Sequence, residues 1–344
     1  MPNKKVSVIV PAYNAHDTLA RCLGSLVNQT LQDIEIIVVN DASTDDTWDI
    51  MQRCQEQFPN KVRIIDGDVN RGSGGARNCG FDVATGEYLG LVDSDDYVAP
   101  NMFELLYAKA KEGEYDIVDC GYYSERKDKA MLFTGDNVTG ELNDNKRKIL
   151  ISAGGYLVTK IFRKSLWNNP PIRMREKVRC LEDTEILIYM LLRAGSIGNV
   201  KEVLYNYCDI ADSATKTMDL SVYFDSVYGA ISAIYDRCSE LPTFGGALEA
   251  IEYAVINLYS YGINRCLYEP ISKFGASESN IKKYFDNVGN KEKELIMKLV
   301  RLKNSKITGS YMDNKEVTKR ISLLDIHIME ECDRRYGNPI HGME

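Results

Sequence analysis

The chain has 344 residues, 44% of them hydrophobic, enough for one large domain or a domain with a substantial appendage. Its 42 basic and 50 acidic residues leave a net charge of -8 and no polybasic arm, which excludes a general nucleic-acid binder. The longest apolar runs are strand-sized, so no signal peptide or transmembrane span is expected, and nine scattered cysteines with three histidines predict reduced, buried thiols of a cytoplasmic protein rather than a zinc site.

Residues 6–10 read as a short strand broken at Pro11-Ala12-Tyr13-Asn14. Asp17-Thr18 can then cap a helix in which Leu19, Cys22, Leu23, Leu26 and Val27 follow the i, i+3, i+4, i+7, i+8 stripe. Residues 34–39 form a second strand that ends in Asn40-Asp41. Ser43-Thr44-Asp45-Asp46 has capping-box spacing with Asp in the acidic slot, and Trp48, Met51, Cys54 and Phe58 give the next helix a buried face. A third strand at 62–65, a small-residue helix at 74–84 and a fourth strand at 88–92 continue the alternation. Such pacing predicts an α/β fold with a mostly parallel, right-handed sheet flanked by helices. Farther on, a helix is expected at 100–110, a strand at 116–120 and a helix at 184–193 on Ile186, Leu187, Met190 and Leu191. After about residue 215 helical stripes dominate (Leu248, Ile251, Ala254, Val255, Leu258; then Leu295, Ile296, Leu299, Val300), so a boundary is expected between 210 and 220.

The fourth strand stops in Asp93-Ser94-Asp95-Asp96. Acids at the carboxyl end of a buried parallel strand stand where open α/β sheets bind ligands. A hard divalent cation, Mg²⁺ or Mn²⁺, prefers carboxylate oxygen and completes its shell with water and substrate phosphates. An acidic loop that caps the next helix is the alternative. Pro11 to Asn14, Asp41 and Asn70-Arg71-Gly72 follow the other three strands, and four strand ends with polar groups on one rim form a nucleotide site. There Tyr13 can stack on a base, Asp41 can accept from a base imide or ribose hydroxyl, and Arg77 can reach a base carbonyl or phosphate. Tyr13 packing the strand end and Asp41 capping a turn are the bland readings. Gly72-x-Gly74 is not a dinucleotide fingerprint, because Arg77 fills the last glycine position, and a dehydrogenase is disfavoured.

The runs 6–14, 36–47, 70–80 and 93–97, in that order and spacing, resemble family 2 of the inverting, sugar-nucleotide-dependent glycosyltransferases, with weaker likeness at 159–166 and 181–184. The resemblance spans roughly residues 4–215. It implies a GT-A fold with a divalent metal, in which Pro11, Ala12, Tyr13, Asn14 and Asp41 meet the nucleoside and Asn70 and Arg77 complete its pocket. By the same likeness Asp93 faces ribose or metal, Asp95 ligates the metal directly, and Ser94 and Asp96 approach the donor sugar or acceptor. Glu182-Asp183 matches the family's acidic pair, whose Asp is the catalytic base. A carboxylate near a helix start gains from the helix dipole, stays ionised at neutral pH and can take an acceptor proton. Charging the helix terminus is its bland alternative.

The expected reaction is transfer of one sugar from a nucleotide sugar, a UDP-sugar first among them, to a hydroxyl of a glycan, lipid-linked or protein-linked acceptor. The expected organisation is a catalytic domain over 1–215 (1–98 for the donor, 99–215 for the acceptor) and a helical subdomain over 216–344. Peripheral membrane contact through Lys282, Lys283, Lys291, Lys293, Lys298, Arg301, Lys303 and Lys306, and homodimerisation through the tail helices, are further expectations. The Gln-x-x-Arg-Trp motif of processive relatives is missing. Cys208 and Asp209 stand where many relatives are basic, which leaves Lys160, Arg173 and Arg175 as weak candidates to face the departing diphosphate. Two rivals stay open: a catalytically silent nucleotide-sugar scaffold, and a nucleotidyltransferase, whose Gly-x-Gly-Thr-Arg loop is replaced here by Pro11 to Asn14.

Overall fold

The computed structural model describes residues 4–178, 180–210 and 218–263, with 265–266, 269–273, 277–290, 292–294, 296–297, 331 and 334–335. In chain order the first half runs β1 (Val6–Ala12), α1 (Leu19–Val27), β2 (Ile34–Asn40), α2 (Thr47–Gln57), β3 (Val62–Asp66), α3 (Gly72–Val83), β4 (Tyr88–Leu91), β5 (Tyr97–Val98) and α4 (Met102–Glu112). Then follow β6 (Ile117–Ser124), β7 (Lys129–Met131), β8 (Gly140–Glu141), α5 (Asp144–Ala153), β9 (Lys160–Arg163), α6 (Ser165–Asn168), α7 (Glu182–Arg193) and β10 (Ser196–Tyr207). Helices α8 (Leu220–Cys238), α9 (Phe244–Ile263), α10 (Glu269–Ser272) and α11 (Glu278–Asn287) form the C-terminal region.

One sheet holds the strands in the order β3-β2-β1-β4-β9-β6-β10-β5. β1 is parallel to β2 and β4, and β2 to β3, and the continuous burial of β1 fits a strand covered by helices on both faces. The sheet is mixed rather than mostly parallel beyond β4: β9 runs antiparallel to both β4 and β6, while β10 runs parallel to β6. β1 also continues through Pro11 to Ala12 instead of breaking. Its ladder with β4 ends at Ile9 opposite Leu91, so Pro11 lies beyond that neighbour.

All five stripe residues of α1 are buried. The predicted caps differ. Thr18 makes no side-chain cap bond, and the box at 43–46 stitches two loops together instead. Ser43 Oγ accepts from Asn14 N at 3.0 Å, Asp45 accepts from His16 N at 3.1 Å and from Thr47 N at 3.0 Å, and Thr47 Oγ1 accepts from Ala15 N at 2.7 Å. Satisfying the backbone of the loop after β1 takes precedence over closing the helix end. α3 lies hard against β1, since a Cβ on Gly80 would stand 2.5 Å from Ile9 Cγ2.

The C-terminal helices are braced on the catalytic elements. Glu185 of α7, with no solvent exposure, accepts from Arg175 Nε at 2.6 Å and pairs with Arg237 of α8 at 3.5 Å. Ile251, Ala254, Val255 and Leu258 of the α9 stripe are buried and Leu248 is half-buried. In the second stripe Ile296 is buried, while Leu295, Leu299 and Val300 lie outside the described residues, as does the expected boundary at 211–217. Lys282 and Lys283 are exposed on α11 and Lys293 is half-buried, and Lys291, Lys298, Arg301, Lys303 and Lys306 again lie outside. Among the described residues no helix is long and apolar enough to cross a membrane.

Candidate active site

The carboxyl ends of β1, β2, β3 and β4 lie side by side, which brings the sequence candidates to one rim. Pro11 and Ala12 are buried at the end of β1, and the chain turns at Asn14, whose φ of 46° is accessible to Asn at low cost. Asn14 Oδ1 accepts from Thr44 N at 2.8 Å, which leaves Tyr13 47% exposed at the rim with its ring face available. Asp41 is buried after β2 and accepts from Arg71 N at 2.7 Å. Asn70 Oδ1 accepts from Gly72 N at 3.2 Å at the start of α3.

After β4, Asp93, Asp95 and Asp96 bring carboxylate oxygens within 4.8 Å of one another. Their roles differ by partner. Asp96 is 1% exposed, and one oxygen accepts from Tyr205 Oη at 2.5 Å while the other accepts from Cys208 N at 2.8 Å. It therefore ties the loop to the end of β10 while remaining one of the three acids of the cluster. Asp93 takes Arg77 Nη2 at 2.6 Å, and Ser94 is half-buried between the two outer acids. Burial first, and then the negative charge of Asp93, push Asp95 up to about 6; burial with Asp93 and Asp95 pushes Asp96 up to about 8. Such crowding of like charge is relieved by a cation, and half-buried Asp95 with Asp93 offers the hard oxygens one needs.

α7 is preceded by Leu181, whose φ of 69° is strained for a bulky residue and directs the first helical turn into this rim. Glu182 is buried and accepts from the Ser73 hydroxyl and from Arg77 Nη1 at 3.2 Å. Ser73 and Arg77 are four residues apart on α3, so one helix face serves both bonds. Arg77 thus spends its two terminal nitrogens joining Asp93 to Glu182. Burial favours loss of its proton, but Asp93, Glu182 and Asp183 outweigh that and hold it charged. Asp183 is half-buried and accepts from Thr184 N at 2.8 Å. Withdrawal of its carboxylate from water, followed by the charge of Glu182, pushes it up to about 6 against the pull of Arg77. The Thr184 N–H at the helix start also pulls it down, and most of Asp183 remains ionised at neutral pH.

The clamp makes a direct prediction. Arg77→Ala leaves Asp93 and nearly buried Glu182 without a counter-charge and should cost roughly 3–5 kcal/mol in urea unfolding. Arg77→Lys, a single ammonium without the planar fork, should recover part of that at most. A variant as stable as wild type would show that the clamp carries no stability.

Lys160, Arg173 and Arg175 are each engaged in other pairs: Lys160 with Asp119 at 3.0 Å, Arg173 with Asp82 at 2.7 Å and Arg175 with Glu185. Besides Arg77, Arg21 of α1 stands beside the cluster and donates to Asp95 O at 2.7 Å and to Cys208 Sγ at 3.1 Å. Sequence reasoning missed Arg21, Ser73 and Tyr205, because their partners lie 74, 109 and 109 residues away.

A profile described as glycosyl transferase family 2 matches residues 7–165. Glycosyltransferase GlyG of Streptococcus pneumoniae is 42% identical over 229 residues, which are 63% of this chain and 75% of GlyG. The chain belongs to glycosyl transferase family 2. The GT-A fold with its helical C-terminal region matches S. aureus TarS 1-349, which superposes on 98% of this chain and 93% of its own with a TM-score of 0.67 at 18% identity. TarS 1-349 has also been solved in complex with UDP-GlcNAc, and that structure matches with a TM-score of 0.65 at 20% identity over the same shares. The chain spans 63% of the uncharacterized glycosyltransferase EpsJ of Bacillus subtilis, at 32% identity over 61% of this family 2 member, and 33% and 32% of two further relatives. What those proteins act on belongs to them.

Proposed function

We propose that the protein is an inverting glycosyltransferase that moves one sugar from a nucleotide sugar, a UDP-sugar, to a hydroxyl of a glycan, lipid-linked or protein-linked acceptor in surface-polysaccharide or glycoconjugate assembly. The observation that carries this reading is the Arg77 clamp, which holds the end of β4, with Asp93 and Asp95, and the start of α7, with Asp183, as the two sides of one rim. The UDP-GlcNAc held by TarS supports a UDP donor.

On this reading Tyr13 stacks on the base, Asp41 accepts from the base or ribose, and Pro11, Ala12, Asn14 and Asn70 shape the walls around them. A divalent ion, Mn²⁺ or Mg²⁺, would be held by Asp95 with Asp93 and would supply Lewis acidity to the leaving diphosphate. Asp183 takes the proton of the acceptor hydroxyl as that oxygen attacks the anomeric carbon. The bond to the diphosphate breaks on the opposite face, so the configuration inverts and no covalent sugar–protein bond forms. Glu182, Ser73 and Arg77 position Asp183, and Asp96 braces the cluster. Residues 1–98 serve the donor, 99–215 the acceptor and 216–344 form a helical subdomain, which dimerisation or contact with anionic lipid would employ.

Release of UDP from a panel of UDP-sugars, with and without Mn²⁺, tests the reading. At least one donor should be hydrolysed slowly in Mn²⁺ and much less in excess chelator. Nucleotide binding without turnover of any donor would favour the silent scaffold.

A further inference from the structure

β10 ends in Tyr205-Asn206-Tyr207, and the two-residue period of a strand puts Tyr207 on the same face as Tyr205, whose hydroxyl holds Asp96. Tyr207 is 37% exposed and stacks on Tyr156, with ring centroids 5.6 Å apart and planes 8° apart. Tyr156 packs edge to face with Tyr122 and Phe133, at 5.2 and 5.6 Å, and follows Gly154 and Gly155, whose φ values of 73° and 137° permit the turn that brings the ring there. Cys208, next to Tyr207, donates its N–H to Asp96 at 2.8 Å, which sets the pair of rings beside the acidic loop. Asp93 is the foremost charge on the Tyr207 hydroxyl, which burial raises first, and Asp183 and Tyr261 of α9 act on the Tyr156 hydroxyl in the same direction as its burial. Tyr261 itself is 61% exposed. Neither Tyr207 nor Tyr156 has a part in the transfer chemistry described above.

We infer that Tyr207 and Tyr156 form a stacking wall for the acceptor, which takes the C–H face of a pyranose ring. This rests on the transfer reading above. The sheet order assigns the wall to the acceptor and not to the nucleotide. The nucleoside candidates follow β1, β2 and β3 on one side of β4, whereas the aromatic residues belong to β10 and the segment before β9 on the other. The chemistry assigns a sugar rather than a lipid tail. A β-gluco-configured ring presents axial hydrogens from C1, C3 and C5 on one face, suited to the electron-rich face of a tyrosine, while its hydroxyls meet the polar edge. An acyl chain would leave these hydroxyls and the neighbouring carboxylates unmatched.

Saturation-transfer NMR on the full chain tests this with methyl β-glucoside, cellobiose and chitobiose as probes, alongside UDP release from the donor panel. Saturation should fall chiefly on H1, H3 and H5 of the bound ring. Tyr207→Ala should weaken the disaccharides roughly tenfold, and Tyr207→Phe should retain them. Disaccharide binding that is absent in wild type, or equal in wild type and Tyr207→Ala, overturns the wall; if UDP is still released, the transfer reading survives that loss. Ring-selective saturation lost in Tyr207→Ala, with no UDP released from any donor, keeps the wall as a sugar site and removes the transfer reading instead. A melt of each variant separates loss of the ring from loss of the fold.

Discussion

Asp183→Asn is expected to cut turnover by roughly two to four orders of magnitude, the usual worth of a positioned base, while nucleotide affinity stays close to wild type. The amide keeps the shape of the side chain and cannot take the proton. Glu182→Gln should reduce turnover less, because Glu182 acts through Arg77 and Ser73, and its larger effect should be on the melt. Equal and small losses of turnover at both positions would leave them as charges on a helix terminus. The position of Asp183 near 6 gives the pH profile: transfer should climb with pH to about 6 and level off above it. Below that point it should fall about tenfold per unit as the base is protonated. The linkage to stability has the opposite sense. A carboxyl whose folded-state pKa lies above its unfolded value binds its proton more tightly when folded, so ionised Asp183 lowers stability above pH 6 and has no such cost below its unfolded value. Asp183→Asn should therefore melt at or above the wild-type temperature at pH 7.

Asp95→Ala should abolish transfer with the fold intact, and Asp95→Asn should fare nearly as badly, since a hard cation needs the charge as well as the oxygen. The measurement is turnover with added Mn²⁺ or Mg²⁺ beside a thermal melt. Asp95 too is raised to about 6, by burial and by Asp93, so loss of its charge should not destabilise the metal-free protein at pH 7. UDP with Mn²⁺ should raise the melting temperature of wild type and leave that of Asp95→Ala unmoved, because a ligand stabilises only a state it binds. Full turnover of wild type in excess chelator would remove the metal from the reading.

Much of the architecture could be read from the chain alone. The five stripe residues of α1 are all buried and β1 to β4 lie close to their predicted spans, because burial with a period of 3.6 or 2 residues is a local property. The four spaced motifs likewise identified the family and its fold without any contact being known. The sequence did not disclose that Lys160–Arg163 inserts antiparallel between β4 and β6, since a four-residue strand carries no signal for its partners. Nor could it separate three similar acids in one loop. Tyr205 and Cys208, 109 and 112 residues away, turn Asp96 into a brace, while Asp95 stays available. Arg77, read in its own segment as a nucleotide contact, becomes a clamp only when α7 brings Glu182 from 105 residues away. Patterning is fixed by neighbours along the chain, whereas the charge, pKa and partner of a side chain depend on groups that only the tertiary fold brings within a few ångströms.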